Sequence, residues 1–401
     1  MKFNQFDLSG KRILVTGGTG FIGGRLVERL VLEGDSDVRV LVRNFAHASR
    51  IARFPIEMVH GDVTKPGDVE RAVSDCEVVI HCVYGNSGSK EMQRLVNVAG
   101  TENVLAAALH AGVKRVVHLS TVAVYGTTPD GDLDETAPRR YSGGVYADSK
   151  LDAENIALDY ARRRGLPVAV LQPTVVYGSF APVWTVNVLR QLKTGCMILV
   201  NGGNGLCNPV YVDDVVSAIL LAAVKEEAVG EAFLISDGQP IIWRDFFDRY
   251  ARMLGSADIV SMSAAELMDA HYAQKRRRAK GILEETLSIL REEPLIRRRL
   301  LRTSEVAALR KVGQSLLPKQ VRRSLNKRIG GNSQAGQPRT GLGEEKPIHV
   351  MPPSVVQFYA AKTRVRIDKA KRILGYQPSF DFESGMRLTE QWAKWTGLLD
   401  D

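Results

Sequence analysis

Six short runs rich in branched apolar residues fall within residues 1–180: Arg12–Thr16, Val38–Val42, Glu57–His60, Val78–His81, Arg115–Ser120 and Val168–Pro173. Amphipathic stretches separate them, at Phe21–Glu33, Gly67–Val73, Met92–Ala111 and Asp148–Arg164. Such alternation drives a chain to a parallel sheet, because each parallel connection needs a crossover long enough to hold a helix. The runs are apolar on both sides, as strands covered on both faces must be. The expected fold is therefore α/β, a doubly wound parallel sheet.

The loop between the first run and the first helical stretch narrows this further. It reads Thr16-Gly17-Gly18-Thr19-Gly20-Phe21-Ile22-Gly23, with glycines at GxxGxxG spacing. Gly17 permits a tight turn, Gly20 lets backbone approach a pyrophosphate, and Gly23 lets helix and strand pack closely. The helix that opens here offers free N–H groups and a positive dipole end to phosphates. The expected sheet is thus Rossmann-type, and Gly17, Thr19, Gly20, Phe21, Ile22 and Gly23 form a dinucleotide cradle. After the second run stands Leu41-Val42-Arg43-Asn44, without an acid to take a ribose 2′-hydroxyl. Arg43 can pair with a 2′-phosphate, which favours NADP over NAD; the alternative is a solvated charge at a strand end, with NAD used. Gly61-Asp62-Val63 follows the third run, and Asp62 can accept from an adenine amino group or serve as a turn aspartate.

Tyr146-Ala147-Asp148-Ser149-Lys150 places a phenol and an ammonium one helical turn apart, on one face. Hydride transfer at a carbinol needs a proton donor or acceptor at its oxygen, and a neighbouring cation makes a tyrosine a better base. Lys150 can also hold ribose hydroxyls. Upstream, His118-Leu119-Ser120-Thr121 ends the fifth run, so Thr121 or Ser120 can hydrogen-bond the reacting oxygen from a strand's carboxyl end. Asn97, in the preceding helix, can hold a water or a backbone group in a proton relay.

Together these stretches resemble the extended short-chain dehydrogenase/reductase superfamily, and within it the NAD-dependent epimerase/dehydratase family. The matching segments are TGGTGFIG (16–23), GDV (61–63), NVAGTENVLAAA (97–108), HLSTVAVYG (118–126), YADSK (146–150), QPTVVYG (172–178), NPVYVDDVVSAI (208–219) and the tail at 366–386. The resemblance implies Thr121, Tyr146 and Lys150 as catalytic triad, Pro173 to Val176 beside the nicotinamide, and a homodimer paired through the helices at Asn97–Leu109 and Ser149–Arg164. It implies an enzyme acting at a secondary alcohol or ketone of a sugar-nucleotide-like small molecule. Two departures bear on the substrate. Where 4,6-dehydratases of the family carry an acidic pair stand Val122-Ala123, which cannot move protons, so dehydration is disfavoured. Where a diphosphate-gripping Arg is expected stands Cys207, leaving Arg364 or Arg366 as substitutes. The alternatives are an NADPH-dependent reductase or 3-beta-hydroxysteroid-dehydrogenase-like enzyme on a hydrophobic or lipid-linked substrate, and, in another class, a non-enzymatic NAD(P)-sensing scaffold.

The expected organisation is a dinucleotide domain at 1–180, completed by about 206–237, and a substrate-binding part at 181–205, 238–255 and 346–401. Residues 256–345 form a basic, largely helical insertion ending in a linker, Gly330–Gly343. Net charge is +9 overall, yet residues 271–330 hold seventeen Lys and Arg against five Asp and Glu. The basic pI belongs to this segment alone. Its interleaved basic and apolar residues suit a solvated helical lid or peripheral contact with an anionic membrane. Nucleic acid is disfavoured, because few aromatic residues are interleaved for stacking. No run approaches the roughly 18 apolar residues of a membrane span. Residues 1–11 lack a secretory layout. Cys76, Cys82, Cys196 and Cys207 show neither CxxC nor metal spacing, so reduced thiols, a cytoplasmic location and no metal are expected.

Overall fold

The computed structural model describes residues 8–33, 36–195, 197–255, 258–277 and 351–400. Cys196, most of the basic segment and the Gly330–Gly343 linker lie outside the described residues. Two compact units are present, 1–264 with 353–401, and 265–352; of the second, residues 265–277, which are helical, and 351–352 are described.

The larger unit is built on seven parallel strands: β1 (Arg12–Thr16), β2 (Asp37–Val42), β3 (Glu57–His60), β4 (Val78–His81), β5 (Arg115–Leu119), β6 (Val168–Pro173) and β7 (Ala232–Ile235). Their order is β7-β6-β5-β4-β1-β2-β3. The chain thus winds outward from β1 one way, then returns and winds the other way from β4. The crevice between the carboxyl ends of β1 and β4 is the switch point where such sheets bind ligands. Alternate side chains feed two cores. Ile13, Val15, Val40, Ile80, Val117 and Leu171 face one side, while Leu14, Leu41, Val79, Val116 and Val170 face the other. All eleven are buried, which is why these strands read as apolar runs rather than alternating ones.

The helices α1 (Phe21–Glu33), α2 (Pro66–Val73), α3 (Lys90–Arg94), α4 (Gly100–His110) and α5 (Val145–Arg164) follow the expected positions. The stretch expected as one helix at Met92–Ala111 is interrupted by a π-helical turn, Leu95–Ala99, joining α3 to α4. Such turns carry one extra residue and re-aim a side chain, here Asn97. The other departure concerns the insertion. Ile259–Met262 forms a strand parallel to Met197–Val200, so residues up to 264 belong to the larger unit. The boundary read at 256 falls short because a four-residue strand gives no periodic signal next to a charged segment. No helix among the described residues is long and apolar enough to cross a membrane.

Candidate active site

The glycine loop is set by backbone geometry. Gly17 has φ +75°, and a Cβ there would lie 2.8 Å from the Cys82 carbonyl carbon. A Cβ on Gly23 would lie 2.3 Å from the Gly17 oxygen. Only glycine allows β1, the loop and α1 to close this tightly. Thr19, Gly20, Phe21 and Ile22 remain at least partly open at the start of α1, as a phosphate cradle requires. These residues fit the pyrophosphate of a dinucleotide. Arg43 is exposed just beyond β2, without an ion pair among the described residues. Asp62 is less free than expected: its Oδ1 accepts from both the backbone and the hydroxyl of Thr64, at 2.9 Å each. It is thus a turn-forming aspartate, the second of the two roles its position allowed. Val63 is buried beside Gly100, and its carbonyl accepts from Asn103.

Tyr146 and Lys150 lie in the first turns of α5. The Lys150 ammonium is buried and donates to the Leu119 carbonyl at 2.5 Å. Burial lowers its pKa to about 8, opposed by Cys82 and Glu154, so it remains mostly charged at neutral pH. Burial raises the Tyr146 pKa, opposed by a hydrogen bond with Thr121. Among the chain's own residues the phenol is therefore protonated at neutral pH, the state needed to give a proton to a carbonyl oxygen. Tyr84 packs edge-on against Tyr146, with ring centroids 4.9 Å apart.

Of the two hydroxyls offered at the end of β5, the structure brings Thr121 to the phenol. The Ser120 hydroxyl points elsewhere and donates to the buried Glu154 at 2.5 Å. Asn97 is engaged with backbone and a side chain: its Oδ1 accepts from Gly85 N–H at 2.7 Å, and its Nδ2 donates to the Gly85 carbonyl and to Ser149 Oγ. It ties the loop after β4 to α5. Pro173 and Val176 are buried at the end of β6 and in the following strand, Val175–Tyr177.

Beside Tyr146 opens a cavity of about 440 Å³. Val122 and Ala123 form part of its wall, with Leu133, Val175, Leu206, Trp243, Val355 and Phe358. Its polar groups are neutral: Thr127, Thr174, Asn208, Gln357 and Thr363 among them. No charged residue lines it among the described residues. The two arginines suggested as substitutes for the missing clamp do not reach it. Thr363 and Val365 line the cavity while Arg364, between them on the strand Thr363–Val365, is exposed on the other side. Arg366 is held outside by Asp132 at 2.6 Å and Asp368 at 2.7 Å. Cys207 is fully buried in the core. Sequence reading missed this wall as a unit because its residues come from separated segments, and those from Trp243 and from 354–365 lie in no motif.

Residues 13–236 match the family model described as the NAD dependent epimerase/dehydratase family. The chain is 32% identical over 242 residues to 4-hydroxy-2-methyl-3-oxo-4-farnesyl-3,4-dihydroquinoline-1-oxide ketoreductase of Stigmatella aurantiaca, covering 59% of this chain and 71% of that protein. It is 29% identical over 243 residues to UDP-glucose 4-epimerase of Vibrio cholerae, covering 58% and 72%. Its fold is similar to that of dTDP-glucose 4,6-dehydratase from Streptomyces venezuelae, with TM-score 0.66 and 21% identity over 96% of this chain and 98% of that one. With the family model spanning more than half the chain and the glycine cradle and Tyr146–Lys150 pair standing where it matches, this protein belongs to the NAD-dependent epimerase/dehydratase family.

Proposed function

We propose that the protein is an NADPH-dependent dehydrogenase or reductase acting on an uncharged, largely apolar ketone or secondary alcohol. The neutral, largely apolar wall beside Tyr146, where no charged side chain stands among the described residues, carries this reading. A sugar nucleotide brings a diphosphate, and burying its charges without cations costs several kcal/mol or more on the order of magnitude of buried-ion penalties. The apolar wall instead gains free energy by covering an apolar substrate. The names of the relatives span both classes, and the neutral cavity supports the apolar one. Val122 and Ala123 on its wall offer no proton carrier, which disfavours 4,6-dehydration.

In this reading residues 17–23 hold the pyrophosphate, Lys150 the ribose, and exposed Arg43 the 2′-phosphate that distinguishes NADP. The bound nicotinamide supplies or accepts the hydride. Tyr146 gives its phenolic proton to the carbonyl oxygen in reduction and takes it back in oxidation. Thr121 orients that oxygen, and the buried Lys150 ammonium stabilises the phenolate left behind. The apolar cavity keeps water from the reacting carbon. The excess of Lys and Arg in the sequence of 271–330 supports peripheral contact with an anionic membrane, and the family resemblance of the helices α4 and α5 supports a homodimer. Co-sedimentation with and without anionic lipid, and light scattering, check these two points.

The deciding experiment follows reduced-cofactor absorbance with a panel of neutral apolar ketones and with UDP-glucose. Oxidation of NADPH by the ketones, with UDP-glucose unchanged, is expected. Epimerisation of UDP-glucose without net absorbance change, and inert ketones, would overturn the reading.

A further inference from the structure

Behind the Tyr146–Lys150 pair lies a second cluster that the proposed chemistry does not use. Tyr146, Lys150 and Glu154 are spaced four apart on α5 and share one face. Glu154 is fully buried. Its Oε1 accepts from Arg139 at 2.6 Å and from Gln172 Nε2 at 2.8 Å. Its Oε2 accepts from Ser120 at 2.5 Å and again from Gln172 at 3.0 Å. The Tyr125 hydroxyl donates to the Gln172 carbonyl oxygen at 2.9 Å, closing the network.

Each partner adjoins a working group. Ser120 stands between Leu119, whose carbonyl holds Lys150, and Thr121, which bonds the phenol. Gln172 precedes Pro173 and the cavity-lining Thr174. Arg139 opens the loop whose Ser142 and Gly144 form cavity wall. One carboxylate thus joins the helix of the acid/base pair to the strand ends and loop that face it.

We propose that Glu154 is a positioning residue of this active site, fixing the strand ends around Lys150 and Thr121 while its negative charge holds Lys150 as an ammonium. A buried ion pair is costly, and apolar residues of like volume can often replace one without loss of stability. A purely structural pair would have no need to sit one turn beneath the ammonium. The groups facing Lys150 are Cys82 after β4, His81 on β4 and His118 on β5, besides Tyr146 and Glu154 on its own helix. Both histidines are held neutral by burial, so Glu154 is the carboxylate among them. Those facing Glu154 are Arg139 and, through Gln172, Tyr125.

The test uses the full chain and NADPH alone, titrated by cofactor fluorescence from about pH 6 to about pH 10. Affinity should weaken above about 8, where Lys150 loses its proton. Glu154→Gln removes the negative charge and should move this break down by about half a unit or more. Arg139→Gln removes the opposing positive charge and should move it up by a similar amount. Opposed shifts support the proposal. Shifts of equal sign, or an unmoved break accompanied only by lower melting temperatures, overturn it. If Glu154→Gln does not fold, Arg139→Gln carries the test alone, because simple loss of structure does not raise the break. The inference rests on Lys150 holding the cofactor and not on the substrate reading. A protein that shows the opposed shifts but reduces no apolar ketone keeps this inference and loses that reading.

Discussion

The glycine loop and the cavity beside Tyr146 are made in different ways. The loop is eight consecutive residues whose glycines answer to backbone clashes of 2.3 and 2.8 Å. The cavity collects neutral side chains from segments more than two hundred residues apart, from Val122 to Val365. The first is set by backbone space within one loop. The second is a property of the assembled surface, so it is free to change with the substrate.

Substitutions on the two sides should therefore fail differently. Tyr146→Phe, on the cavity wall, should lower kcat about a thousand-fold with NADPH affinity nearly unchanged, as titration and turnover together would reveal. A variant that keeps full turnover would remove Tyr146 from the mechanism. Gly23→Ala forces a methyl against the Gly17 carbonyl. It should weaken cofactor binding at least about ten-fold and lower the unfolding midpoint by about 5 °C. Arg43→Ser should raise the NADPH dissociation constant about ten-fold while sparing NADH. Equal effects on both cofactors would reassign Arg43 to a solvated strand end. On the cavity side, Phe358→Ala removes a partly exposed wall and should raise KM for an apolar ketone about five-fold, leaving kcat unchanged.

The smallest effect is on stability. His118 and His81 stack at 5.5 Å beneath the site, and neither His118 ring nitrogen has a hydrogen-bond partner among the described residues. Burial lowers the His81 pKa to about 3 and holds His118 well below its usual value. Both are neutral in the fold, whereas the unfolded chain takes up protons below about pH 6.5. Their contribution is therefore whole above about pH 6.5 and declines as the pH falls toward 3. His118→Leu should flatten this acid decline in thermal unfolding. An unchanged slope would show that His118 is not its source.

Much of the fold was legible. The apolar runs at Arg12–Thr16 and Val168–Pro173 coincide with β1 and β6, because strands buried on both faces need apolar residues throughout. Helix α1 begins at Phe21 as the loop required. The π turn at Leu95–Ala99 was invisible, since an extra residue in a helix leaves no break in apolar spacing. Within the site, the Tyr146–Lys150 spacing is local and was readable. The choice between Thr121 and Ser120 was not, because adjacent residues leaving a strand point opposite ways and only Glu154 shows which way Ser120 turns.

The sequence by itself determined the winding of the sheet, the closing of the glycine loop at 17–23 and the face of α5 that bears the phenol. Each follows from periodicity or backbone sterics within a few consecutive residues. Tertiary structure alone decided that Arg364 and Arg366 turn away from the cavity, that Glu154 lies beneath Lys150, and that the described wall beside Tyr146 is made of neutral side chains. Those are contacts between segments far apart in the chain, and local pattern holds no record of which of them will meet.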